Sequence, residues 1–489
     1  MKRLLPAFLM LFAFAANAQY NGVPMHDDLS EPLSQDSVVP TLKRIDKILN
    51  ILREFRFQAY IQPEWQRADT TGVTTTGPLG TTGVGAFQGG TFPAASNNRF
   101  ILRRGRFKFS FEHKNGKDLK IIDFAFQFDA TERGFFIKDF YGRIIDPWIG
   151  WFGLQGGVFA RPFGYETPSF PAFSESPEFA AVNQAIMPNE VELGEALVIE
   201  SPAKFEPVYL RVDASIVNGQ GIGVGLTNQT GSYQSRKDFI GRIKVGRSWD
   251  LGKARVGLNG SVSYYYGGVL QTTNYVFEYA KDSTGQAYYK NIASPKDVLK
   301  KIYKREYYGA NLEFKADYNI GTTTLRGEFI AGQQPGGATS SSVPLGQINS
   351  PPISDLYLRH FMGASVLFDQ AFKVKLKNHT MMNDITVKYD FYDPQAQVKG
   401  TDLALLRGFS ITDIKYSTLG VGYTFTPYNW FKLIVWYDHV MNEKASIPGF
   451  ASDYKKDDVL TIRTQFYVDS WWFTGSKSKY RDNLMLKKY

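Results

Sequence analysis

One region of the sequence is rich in carboxylates and has no basic residue. Between residues 162 and 203 there is no Lys or Arg. The acidic side chains that stand out as candidate site residues are Glu166, Glu175, Glu178, Glu190 and Glu192. Four prolines keep this segment from extending a sheet, because proline cannot donate to a strand ladder. They are Pro168, Pro171, Pro177 and Pro188. The pattern predicts a polar loop that meets water and dissolved solutes.

Basic residues, in contrast, alternate with apolar residues. In ILRRGRFKFSFE (101–112), Arg104, Arg106 and Lys108 share one face of an extended chain. Further candidates with this alternation are Arg211, Arg242 and Lys244. Charged side chains that converge on a narrow point can discriminate between ions.

Residue sets for catalysis, metal binding or a cofactor are not found. The five histidines are scattered, without the H-x-x-x-H or H-E-x-x-H spacing of zinc sites. The chain has no cysteine, no G-x-S-x-G and no D-x-D-x-D-G loop. The formal charge of +9 is spread over many segments, which argues against a nucleic-acid surface. We therefore expect no metal, no cofactor and no nucleic-acid partner.

The elements that position these side chains have a period of two. In DFAFQFD (123–129), three phenylalanines face one way and Asp123, Gln127 and Asp129 face the other. The same alternation predicts sixteen strands, near residues 56–67, 99–112, 118–131, 135–145, 151–162, 195–203, 207–217, 236–247, 253–267, 304–318, 322–332, 355–369, 379–392, 412–426, 429–443 and 457–468.

Long and short links between these strands mostly take turns, although the link at 132–134 is short where a long one is due. Transmembrane barrels have short periplasmic turns and long outer loops, and lipid forces a spanning sheet to close on itself. The sequence therefore predicts an all-β fold: a closed antiparallel transmembrane β-barrel of about 16 strands over residues 56–468, preceded by a short periplasmic helix.

Both ends of the chain have other predicted roles. Lys2 and Arg3, an apolar run and an A-x-A site predict a secretory signal peptide at 1–18, cut before Gln19. We expect a disordered leader at 19–40 and an amphipathic periplasmic helix at 41–55. No later apolar run reaches the ~18 residues of a spanning helix. The segment 469–489 is expected to be a periplasmic tail.

Several segments resemble the phosphate-selective porin O and P family in its Bacteroidetes form. They are GVFARPFGYE (157–166), SPEFAAVNQAIMPNEVELG (176–194), IVNGQG (216–221), KDFIGRI (237–243), RGEFIAGQQPG (326–336), VKYDFYDPQ (387–395), STLGVGYTF (417–425) and VLTIRTQF (459–466). They follow the family order from about residue 99 to residue 468, and no single one is highly specific.

The resemblance implies a sixteen-stranded porin of the Gram-negative outer membrane, often a homotrimer, that contacts outer-membrane lipid and passes small anions along lysines and arginines. It makes the six basic candidates above pore-lining residues. Counted along the predicted strands, 163–194 is the third outer loop, which in large porins commonly folds into the lumen; we expect a constriction loop here, with an ordinary surface loop as the alternative. Two positions depart from the family pattern: Ala160 replaces a lysine that often follows the Phe of G-x-F, and Phe179 replaces an arginine that often follows S-P-E.

The expected function is therefore a water-filled channel for passive diffusion of small polar or anionic solutes, with phosphate as one candidate. An acidic loop opposite a basic wall would create a transverse field and only weak ion selectivity. Two alternatives stay open at this point: an outer-membrane barrel enzyme, and a non-conducting barrel with a structural or adhesive role.

Overall fold

A computed structural model of the chain describes residues 54–72, 83–116, 119–188, 190–202, 205, 207–219, 221–222, 236–342, 353–376, 379–405, 407–445 and 457–470. The predicted signal peptide and leader, nearly all of the N-terminal helix and the predicted tail beyond Ser470 lie outside the described residues. No helix among the described residues has the length and apolar composition needed to cross a membrane.

The described strands follow one another in an antiparallel order around a ring. In chain order they are Phe55–Ala68 (β1), Asn98–Lys114 (β2), Lys120–Thr131 (β3), Gly134–Ile145 (β4), Phe152–Ala160 (β5), Val191–Glu200 (β6), Val208–Val217 (β7), Asp238–Asp250 (β8), Ala254–Leu270 (β9), Val276–Lys281 (β10), Ala287–Asn291 (β11), Ile302–Tyr318 (β12), Gly321–Gly336 (β13), Leu356–Leu376 (β14), His379–Asp393 (β15), Tyr416–Tyr428 (β16), Phe431–Val440 (β17) and Val459–Asp469 (β18).

Sixteen of these strands close into a barrel, as predicted. Each pairs with its neighbours along the chain, and β1 pairs with β18 to close the ring. β9 pairs directly with β12, while β10 and β11 form a separate hairpin that touches the start of β14 in parallel. Closure leaves no free edge, which is what a sheet in lipid requires.

The barrel is apolar outside and polar inside. Along β3, Phe124 points outward and is 40% exposed, whereas Asp123 and Gln127 point inward and are buried. Outward leucines, valines and phenylalanines are exposed on strands around the ring, while inward glutamines, aspartates and arginines are buried. A soluble sandwich would have the reverse arrangement, so this distribution indicates a wall that lipid covers.

The predicted strands agree with the observed ones to within a few residues, with three differences. β6 begins at Val191 rather than near 195, so the loop before it ends at residue 190. β14 continues to Leu376, well beyond the predicted end. The hairpin β10–β11 lies in a link that the sequence predicted to contain no strand. Its two strands have only six and five residues, so their apolar and polar alternation is too short to be recognised in the sequence.

Candidate solute passage

Residues 161–190, which we call the inward loop, leave β5 and return to β6 through the inside of the ring. The loop contains a single turn of 3-10 helix at Pro171–Phe173 and a short helix at Ala181–Ile186 (α1). Its backbone lies close to the wall at Gly164, whose φ is +66°. A Cβ atom there would lie 2.2 Å from a carboxylate oxygen of Glu328 on β13, so any other residue would have to displace this carboxylate as well as adopt a positive φ.

Glu178 anchors the loop to one side of the ring. Its carboxylate accepts two hydrogen bonds of 2.7 Å from Arg103 on β2 and one of 2.9 Å from Arg463 on β18. Arg104 lies 3.4 Å away. Burial alone would raise the pKa of Glu178, but the guanidinium of Arg103, aided by those of Arg104 and Arg463, holds that pKa well below its usual range.

A second set of contacts ties the loop to the other side of the ring. Glu175 pairs with Arg326 on β13 at 3.1 Å, and Glu166 lies 3.7 Å from Lys388 on β15. The backbone N–H of Tyr165 donates to Glu328 on β13, 2.6 Å away. A loop held by strands on both sides of the ring must cross the interior.

Glu190 ends the loop beside β2 and β4. Its carboxylate lies 3.1 Å from Arg106 and 3.6 Å from Lys138. Burial raises the pKa of Glu190, but Arg106 and then Lys138 lower it, to about 2. Glu192, the fifth acidic candidate, belongs to β6, pairs with Arg161 at 2.9 Å and accepts the N–H of Gly221.

The expected charge separation across the interior is therefore not what the structure describes. The four acidic candidates of the loop lie within 2.7 to 3.7 Å of wall cations instead of facing them across a gap. The carboxylates bind the loop to the wall and neutralise cations there.

A cavity of about 220 Å³ lies between the inward loop and the wall from β2 to β8. Four of the six basic candidates line it: Arg106, Lys108, Arg211 and Arg242. The other two do not. Arg104 contacts Gln62 and the loop, and Lys244 lies buried with its ammonium 5.8 Å from the ring of Tyr209.

The lining combines cations with carboxylates that already contact them. Lys108 pairs with Asp139 at 2.9 Å, and Arg242 pairs with Asp213 at the same distance. Lys138, which the sequence analysis did not select, makes a fifth cation of the lining. With Asp139, Asp213 and Glu190 as its acidic members, the lining keeps an excess of two positive charges.

Two β-bulges explain two of the inward cations that sequence reasoning missed, Arg103 and Lys138. Gln62 pairs with Arg104 and Pro63 with Leu102, so Arg103 is an extra residue in β2 and points inward beside Arg104. Similarly, Lys138 is extra in β4 and points inward beside Asp139. A bulge re-aims one side chain. For the bulge at Arg103, the sequence signal was Pro63 on the facing strand, because proline cannot donate to the hydrogen-bond ladder between strands.

An apolar cluster fills another part of the interior near the long loops. It joins the inward loop to strands β5 through β9, to β11 through β16 and to described residues of the segment between β15 and β16. Phe163 and Ile186 of the loop pack with Tyr307, Phe361 and other buried residues. Asp413, in the segment between β15 and β16, is buried and pairs with Arg359 on β14 at 2.7 Å. The cluster meets the polar cavity at Phe159, Ala196 and Val198, which form part of the cavity lining.

Comparison with known proteins finds likeness in architecture alone. No protein-family model and no curated protein matches the chain. Among solved structures, the chain is similar to OprB of Pseudomonas putida. The two share 10% sequence identity, the match covers 87% of this chain and 97% of the other, and the TM-score is 0.47. The chain is similar to the outer membrane channel DcaP of Acinetobacter baumannii, at 11% identity, 85% and 97% coverage and a TM-score of 0.45. An anion-selective porin from Comamonas acidovorans gives 11% identity, 85% and 99% coverage and a TM-score of 0.44.

Proposed function

We propose that this chain is an outer-membrane porin whose solutes pass through the cavity between the inward loop and β2–β8. The observation that carries the proposal is the cavity itself: a polar, charged space inside a barrel whose outside is apolar. A closed barrel of sixteen strands is wide enough to enclose water. The volume of about 220 Å³ accommodates roughly seven water molecules, at about 30 Å³ each, or one small solute, so the passage would exclude larger molecules.

The cavity lining supports a modest preference for anions. Five cationic and three acidic side chains meet there, and Lys108, Lys138 and Arg211 each keep about a fifth of their side chain exposed. A strong phosphate site needs several converging cations without partners. Here Lys108 and Arg211 already contact carboxylates. Phosphate, which the resemblance to the porin O and P family implies, therefore remains one candidate among small anions.

Planar-bilayer recordings test the proposal. We expect channels whose reversal potential in a KCl gradient shows a small chloride preference. The double variant Lys108→Gln/Lys138→Gln should lose that preference, because it removes both lysines of the lining. The control is Lys120→Gln, which removes a lysine that pairs with Glu112 and Asp123 and does not line the cavity. A cation preference in the unaltered protein, or no change in the double variant, would contradict the assigned path.

The apolar cluster inside the barrel favours one alternative, a non-conducting barrel with a structural or adhesive role. If the cluster and the inward loop together block the lumen, no water path remains. Liposome swelling with small sugars and the same bilayer recordings decide between the two functions. Channels of reproducible conductance support the porin, whereas their absence with correctly folded protein supports the closed barrel.

The homotrimer that the resemblance implies also remains a proposal. The outward faces of β1 to β4 are unusually rich in phenylalanine, and rings on neighbouring strands contact one another, as Phe107 and Phe128 do at 5.4 Å between centroids. A second copy of the chain would bury this aromatic surface. Multi-angle light scattering in detergent should give three chains per particle. Alanine at Phe109 and Phe126 should lower that number without unfolding the barrel.

A further inference from the structure

A group of tyrosines and cations occupies the outward surface of β8, β9 and β12 near the long loops. Tyr264, Tyr266 and Tyr308 form a platform there, with ring centroids 6.3 Å apart for the first pair and 5.3 Å for Tyr264 and Tyr308. Tyrosines collect at the boundary between hydrocarbon and lipid headgroups, because their rings are apolar and their hydroxyls polar. The platform therefore marks the membrane boundary on this side.

The other boundary lies ten residues along β12, at Tyr318. The hydroxyl of Tyr318 interacts with Thr323 and Gln370 on the same outward surface, at 2.9 and 3.0 Å. Ten residues at about 3.3 Å each, tilted by about 40°, span about 25 Å along the membrane normal, the height of the apolar band of such barrels. Between the two tyrosines the outward residues of β12 include Leu312 and Phe314, both exposed.

Cations lie just beyond the tyrosine platform. Lys304 is four residues past Tyr308 on β12, which places its Cα about 10 Å beyond the boundary, within reach of the headgroups. The guanidinium carbon of Arg236 lies 4.5 Å from the ring centroid of Tyr266, and Lys237 is exposed next to it. In the same group, Glu306 holds Lys304 at 2.5 Å and accepts the hydroxyl of Tyr264 at 2.8 Å.

Exposed apolar side chains continue the same surface toward the centre of the band. Ile243 on β8, Val262 on β9 and Leu312 on β12 are 48%, 58% and 58% exposed. They lie on three adjacent strands, on the side of the tyrosines that faces the centre of the membrane. The surface thus has an apolar part of acyl-chain character, an aromatic boundary and a cationic end, in that order along the normal.

We propose that this surface, the β8–β9–β12 patch, binds one membrane lipid that carries a phosphate in its headgroup. The phosphate would lie among Arg236, Lys237 and Lys304, and the acyl chains along Val262 and its neighbours. Three cations against one carboxylate give the charge complementarity that a phosphate headgroup needs. The inference depends on the barrel spanning a membrane and is independent of conduction, so a failed channel assay leaves it standing.

Native mass spectrometry of the detergent-solubilised full chain tests the proposal. The probe is dioleoylphosphatidic acid, compared with dioleoylglycerol, which lacks the phosphate, and with inorganic phosphate, which lacks the chains. We expect one phosphatidic acid to stay bound at concentrations where neither comparison compound does. The double variant Lys237→Gln/Lys304→Gln should weaken this binding about twenty-fivefold, at roughly fivefold for each cation.

Two further variants sharpen the result. Lys281→Gln/Lys290→Gln removes two exposed lysines from the hairpin β10–β11 and should leave binding unchanged, although the total charge falls equally. Glu306→Gln frees Lys304 and should tighten binding. The shift in gel migration on heating verifies that each variant is folded. Equal binding by both double variants, equal binding of dioleoylglycerol, or displacement of the lipid by inorganic phosphate alone would each overturn the proposal.

Discussion

Replacing Glu178 with glutamine removes a carboxylate that joins the inward loop to both β2 and β18. Three guanidinium groups meet this side chain, two of them nearly inaccessible to water: Arg104 and Arg463 have side-chain exposures of 3% and 1%. Glutamine keeps the shape and one acceptor oxygen but carries no charge. The variant therefore removes one negative charge from beside two buried cations, and of these only Arg463 keeps a second carboxylate partner among the described residues, Glu64.

The cost follows from how much compensation remains. Removing one partner of a buried ion pair destabilises a protein by about 3–5 kcal/mol. Arg463 retains Glu64 at 2.7 Å, and Arg103 is partly exposed and gains hydration. We therefore expect the lower end of that range for Glu178→Gln, about 3 kcal/mol in the free energy of unfolding. The loosened loop should also increase current fluctuations in single-channel records.

Denaturant unfolding in lipid vesicles, followed by tryptophan fluorescence, measures the stability change. The matched control is Glu112→Gln, which breaks a 2.9 Å pair with Lys120; the Glu112 side chain is 42% exposed, far more than that of Glu178. An exposed pair of this kind contributes less than about 1 kcal/mol. Equal losses in the two variants, both below about 1 kcal/mol, would refute the view that Glu178 anchors the loop.

Three further changes test other parts of the interior through the unfolding midpoint. The pKa of Glu190 is lowered to about 2 from an ordinary value of 4.5, so the stability it contributes is present above about pH 4.5 and lost as the pH falls toward 2; Glu190→Gln should flatten that part of the pH profile. Gly164→Ala should cost more than Gly252→Ala, since both have positive φ but only the first places a methyl group 2.2 Å from a carboxylate oxygen on β13. Phe361→Ala, inside the apolar cluster, should cost about 3–5 kcal/mol, and Phe368→Ala, on the outward face of the same strand, clearly less.

The sixteen-stranded ring follows from the sequence because one physical requirement acts on every strand. Lipid outside and polar contents inside force an apolar/polar alternation, and this repeats from residue 56 to residue 468. The same rule correctly orients Arg106 and Lys108. It breaks down near the long loops, where YYY (264–266) and FIA (329–331) are apolar on both faces. Those runs were the available signal for the apolar cluster inside the barrel.

What the sequence did not reveal depends on contacts between distant residues. Glu178 and Arg463 are 285 positions apart, and no local pattern pairs them. The bulges at Arg103 and Lys138 shift the register by one residue, which reverses the face that simple alternation assigns. Each bulge adds an inward cation next to a residue that alternation already placed inside. The cation content of the interior was therefore underestimated on the very strands that meet the inward loop.

Pairing, more than the number of charges, decides what a solute in this interior experiences. An acidic loop and a basic wall held apart would polarise the water between them, but opposite charges in contact act as short dipoles whose field declines steeply with distance. Glu178 and Glu175 are locked in this way and have little influence on a passing ion. Lys108 and Lys138 retain some exposure toward the cavity even though each lies near a carboxylate. Selectivity should therefore respond to substitution of these two lysines and remain nearly unaffected by exposed charges elsewhere on the barrel.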